Sequence, residues 1–79
     1  MKSYVFPVTL EPDEDGWRAF YPPLEHVGAS TWGASREEAL THMQDVLTMI
    51  VDEFEAEGKE IETHDEVTIT DGAAITITR

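Results

Sequence analysis

Residues 35–58, SREEALTHMQDVLTMIVDEFEAEG, decide the fold. Ala39, Leu40, Met43, Val46, Leu47, Ile50, Val51 and Phe54 recur at helical spacing and form one broad apolar stripe. Gln44, Asp45, Asp52, Glu53, Glu55 and Glu57 fill the rest of the turns. Ser35 is a strong N-cap, and Glu38 three residues on completes a capping box. Glu37 adds a second carboxylate where the helix dipole favours it. Gly58 is the natural residue past the C-terminus. The spacing predicts one helix over Arg36–Glu57, about 33 Å long at 1.5 Å per residue. That exceeds what three strands need, so its last turns are expected to reach a neighbour.

Upstream the period changes to two. In Met1–Leu10, Tyr4, Phe6, Val8 and Leu10 point one way, and Val5, Pro7 and Thr9 the other. Pro7 cannot donate to a ladder, so this strand is expected at an edge or with its proline outward. Glu11–Gly16 reads EPDEDG, an acidic turn with Asp15-Gly16 as its reversal. Trp17–Tyr21 forms a second strand with an aromatic on each face, which predicts a central position or a covered second face. Pro22 and Pro23 end it by removing two N–H donors, and Leu24–Gly28 is a loop. Ala29–Trp32 is a short third strand, and Gly33-Ala34 turns into the helix.

Downstream, Val67–Ile69 and Ala73–Ile77 alternate again, with threonines on the opposite face. Asp71-Gly72 closes a hairpin between them, unless the two pieces are one kinked strand. The order β-β-β-α-β predicts an α+β domain spanning residues 1–79, a mostly antiparallel sheet with one long helix on one face.

The balance of 17 Asp and Glu against 5 Lys and Arg, a net charge of −12 over 79 residues, selects partners. Phosphate backbones and anionic membranes need clustered cations that this chain lacks, so neither is an expected partner. A basic protein suits the field. There is no cysteine, which excludes disulfides and thiolate chemistry. No apolar run reaches membrane-span length and no secretory leader stands at the start, so the expected compartment is the cytoplasm.

Chemistry is sparse. His26, His42 and His64 show no metal spacing, and the acidic turn lacks the calcium-loop pattern. Ser3, Ser30 and Ser35 have no nucleophile context, and no glycine-rich phosphate loop is present. No catalytic residue, metal or cofactor is expected. Trp17, Phe20, Tyr21 and Trp32 put four large aromatics within sixteen residues. They exceed what one core face requires, so self-association, as a dimer or higher, is the simplest cover for the second face.

The stretch GWRAFYPPLEHVGASTWGASREEAL, residues 16–40, resembles the N-terminal domain of HicB-type antitoxins. Gly16 matches the family's turn glycine, Tyr21-Pro22 its aromatic-proline step and Leu24 its loop leucine. Gly28 matches the loop glycine after a two-residue insertion. Gly33, Ser35 and Glu37-Glu38-Ala39-Leu40 match the helix entry, and Gly58 and Ile61 its exit. Pro23 stands where aspartate is usual, and Glu25-His26-Val27 replace a single proline. Glu62-Thr63 stand where a proline pair is common.

The resemblance implies a partial ribonuclease H-like fold without that enzyme's catalytic set. It also implies a role in masking a small basic HicA-type toxin that cleaves mRNA. The partner-facing candidates are Tyr21, Pro22, Leu24, Glu25, His26 and Gly28, together with Trp32. Many full-length members add a DNA-binding domain; the chain to Arg79 leaves no room for a helix-turn-helix, so autorepression is not expected of it. Two other readings stand beside this one. The first is an orphan self-associating structural or regulatory domain. The second is a ribonuclease H-like nuclease, which would need clustered carboxylates holding Mg²⁺.

Overall fold

A computed structural model describes residues 3–61 and 72–78. Strands β1 (Ser3–Asp13), β2 (Gly16–Phe20) and β3 (Ser30–Gly33) precede helix α1 (Arg36–Glu57), and β4 (Gly72–Thr78) follows it. The sheet order is β3-β2-β1-β4, with every neighbouring pair antiparallel. The predicted α+β architecture, four strands and one long helix, is therefore present. The proposed pairing of residues 67–69 with 73–77 lies partly outside the described residues.

Two capping motifs fix α1. Ser35 Oγ accepts from the Glu38 N–H at 3.1 Å, while the Glu38 carboxylate accepts from the Ala34 N–H at 3.3 Å, one residue before the cap. At the other end Gly58 takes φ 70° and donates to Glu55 O, and Lys59 donates to Phe54 O. These crossed bonds satisfy carbonyls that the helix end would otherwise orphan. In its last turns Ile50 and Val51 are buried, and Phe54 packs half-buried against this chain's own core.

One face of the sheet carries the core. Phe6, Val8 and Leu10 of β1, Ala19 of β2, and Ile75 and Ile77 of β4 pack against Ala39, Met43, Leu47, Ile50 and Val51 of α1. The helix sits closest at β3, where a Cβ on Gly33 would collide with the backbone of Ala39. No charged side chain is buried among the described residues.

Two local expectations change and a third is decided. β1 is an inner strand, not an edge, and Pro7 lies on the sheet face away from α1, the second of its two expected placements. β1 tolerates Pro7 because the ladders are staggered: β2 pairs with Thr9–Asp13 and β4 with Ser3–Thr9. Pro7 therefore pairs on the β4 side alone, which leaves one side of the strand where a missing donor costs nothing. The β1–β2 reversal is centred on Glu14 and Asp15, with Asp13 opposite Gly16 and Glu14 at φ 52°. Gly16 thus opens β2 instead of turning the chain. Finally, Pro22–Val27 is a 3₁₀ segment, not irregular loop. The two prolines preset φ for its first turn.

Candidate partner-binding surface

Alternation along β1–β4 sends a second set of side chains to the face opposite α1. Register places Trp32 beside Arg18 and Arg18 beside Glu11 across three strands. The Trp32 ring lies over Gly16, where any Cβ would meet it. Gly16 is there to seat an indole, a reason that sequence spacing alone does not reveal. Trp32 nonetheless keeps 46 % of its surface exposed. Asp13, opposite Gly16, adds a carboxylate next to this seat.

Arg18 organises the neighbouring surface. Its guanidinium lies 4.0 Å from the centre of the Phe20 ring, and its Nη2 donates to Glu25 Oε2 at 3.1 Å. The pair is half-exposed, so its value is positional more than energetic. It ties the 3₁₀ segment to β2. His42 does the same from behind: its Nδ1–H donates to the Trp32 carbonyl at 2.8 Å and pins β3 to α1.

The 3₁₀ segment is closed at its base by Tyr21 N–H to Ala29 O, 3.0 Å, and Ala29 N–H to Leu24 O, 3.1 Å. Gly28, at φ 97°, permits that closure in a conformation that side chains disfavour. Tyr21 and Leu24 point inward, 1 % and 3 % exposed. Tyr21 meets Phe6 edge-on, ring centres 5.2 Å apart. In this structure these two candidates support the segment from the core and present no surface. Pro22, Glu25, His26, Gly28 and Trp32 are exposed.

The result is an exposed indole over Gly16 and beside Arg18, with Glu11 and Glu25 on Arg18 and Asp13 opposite Gly16. Only strand register brings Arg18 and Gly16 beside Trp32, and Glu11 and Asp13 beside those two in turn. Among the described residues, no group of three or more His, Cys, Asp or Glu is placed to hold a metal ion. No helix among them is long and apolar enough to cross a membrane.

A curated protein from Photorhabdus laumondii, Antitoxin HicB 2, is 39 % identical to this chain over 62 residues, 78 % of the chain. The chain carries a HicB-like antitoxin domain. The matched region spans 43 % of that relative's length. No protein-family model matches the chain, and no solved structure matches it. Within this HicB-like domain, Glu25, His26 and Val27 form the last part of the 3₁₀ segment, and Glu25 supplies the carboxylate that holds Arg18.

Proposed function

We propose that this HicB-like domain is the toxin-masking part of an antitoxin, binding a small basic toxin of HicA type and acting without chemistry of its own. The similarity to Antitoxin HicB 2 carries this reading. The net charge of −12 supports it, since opposite charge speeds encounter and selects the partner. The contact surface is Trp32, Pro22, Glu25, His26 and Gly28, extended by Glu11 and Asp13. An exposed tryptophan ringed by polar groups has the anatomy of a binding hot spot. A partial ribonuclease H-like layer and a single domain over residues 1–79 belong to the same proposal, as does a cytoplasmic site of action.

The test is calorimetry with a small basic protein encoded beside this chain. Tight binding that weakens with salt, together with loss of the toxin's mRNA cleavage, is the expected outcome. A co-encoded basic protein that this chain neither binds nor inhibits refutes the reading.

A further inference from the structure

Among the described residues each basic side chain rests against an aromatic ring. The Arg18 guanidinium lies 4.0 Å from the centre of Phe20, that of Arg36 5.1 Å from Trp17, and the Lys59 ammonium 6.0 Å from Phe54. At these distances the negative face of a ring attracts a cation. For Arg18 a carboxylate completes the arrangement: Glu25 accepts from the same guanidinium at 3.1 Å. Ring and carboxylate together hold one arginine.

The same two groups meet again at Trp32, turned outward. Trp32 and Arg18 face each other across β3 and β2, and from there they lean opposite ways along β2. The Trp32 ring reaches over Gly16, while the Arg18 guanidinium reaches to Phe20 and Glu25. Gly16 and Phe20 stand about 14 Å apart at roughly 3.4 Å per residue. Asp13 is opposite Gly16 in register and exposed. Residues so paired hold their Cβ positions about 5 Å apart, and a Cβ on Gly16 would touch the Trp32 ring. Asp13 therefore stands at the edge of the indole, at the end away from the Arg18 guanidinium. Trp32 is the one exposed aromatic among the described residues.

We propose that the outer face of Trp32 receives an arginine side chain of the basic partner, its guanidinium flat on the indole and its charge facing Asp13. The inference rests on the toxin-masking reading and names what that surface reads. Indole is the ring that binds cations best, and a guanidinium is planar and weakly hydrated, so it stacks where an ammonium keeps its water. An aliphatic anchor would cover the ring equally well, but it would desolvate Asp13 without offering a counter-charge. Ring and carboxylate side by side select arginine, as Phe20 and Glu25 do for Arg18 within the chain.

Nuclear magnetic resonance of the whole chain tests this without a partner protein. The chain has two tryptophans, hence two indole N–H signals, which Trp32→Leu assigns. Acetyl-arginine amide should shift the Trp32 signal saturably at millimolar concentration and leave the Trp17 signal in place. Acetyl-lysine amide should bind about threefold more weakly, and Asp13→Asn should weaken the arginine amide about threefold. The neutral citrulline amide should not bind. Equal responses to the arginine and citrulline amides overturn the proposal. Fluorinated tryptophan carries the test into the complex with a co-encoded basic protein, because it withdraws negative charge from the ring with little change of outline. Affinity should fall about threefold. Trp17 packs on the α1 side beneath Arg36, so fluorination there registers in the melting temperature. Binding that fluorination leaves unchanged overturns the proposal while the masking reading stands. A co-encoded protein that does not bind at all refutes the masking reading, and the arginine titration still decides this one.

Discussion

The outward sheet face is one continuous surface with two unlike ends. At the β2–β3 end an exposed indole lies over Gly16 and beside Arg18, and Arg18 is held by Glu25. At the β1–β4 end the same face carries Val5, Pro7, Thr9, Ala74 and Thr76, none of them charged. Both ends use the same alternation, and both lie opposite the same helix. What separates them is the acidic hairpin, which register brings to the β2–β3 end alone. Only the β2–β3 end joins an open aromatic ring to charge, so it is the end that offers a basic partner something to read.

The largest way to break the comparison is Gly16→Val. Its side chain would displace the Trp32 ring and press on the Gly33 carbonyl. Overpacking of this kind costs about 2 kcal/mol, read as a lower denaturant midpoint. Binding of the basic partner should fail with it, while the β1–β4 end is unaltered. Trp32→Ala is the cleaner probe. It should cost partner binding about 2 kcal/mol by calorimetry, with little loss of fold stability.

Salt sharpens the contrast without mutation. Raising ionic strength from about 50 mM to about 500 mM should weaken partner binding about tenfold, because screening removes the attraction at the β2–β3 end. Binding that salt leaves unchanged would mean that the uncharged end is the contact. Ser35→Ala should lower stability by about 1 kcal/mol through the lost helix cap and leave partner binding intact, a control for global effects. The smallest expected effect is Arg18→Gln. It should change stability by about 0.5 kcal/mol or less, since the pair with Glu25 is half-exposed, yet it should lower partner affinity measurably by freeing the 3₁₀ segment.

The candidate surface was only partly legible. Pro22, Glu25, His26, Gly28 and Trp32 stand exposed where the sequence reading placed its candidates. Tyr21 and Leu24 belong to the same stretch but face the core, because the Tyr21–Ala29 bond folds the segment back on itself. The proximity of Arg18 to Trp32 on one side and to Glu11 on the other is a matter of cross-strand register, which local spacing does not carry. A glycine seated under an aromatic ring has the same letter as a glycine in a turn, so Gly16 was read as the latter.

The order of elements, the span and caps of α1, the alternation of each strand and the strong negative charge follow from the chain's local pattern. Each depends on contacts a few residues apart, or on composition alone. Only the tertiary structure decided that β1 lies inside the sheet, that β4 closes on its N-terminal half, and that Trp32 lies over Gly16 and beside Arg18. Those facts depend on which strand lies beside which and at what offset, and long-range pairing leaves no periodic mark in a single sequence.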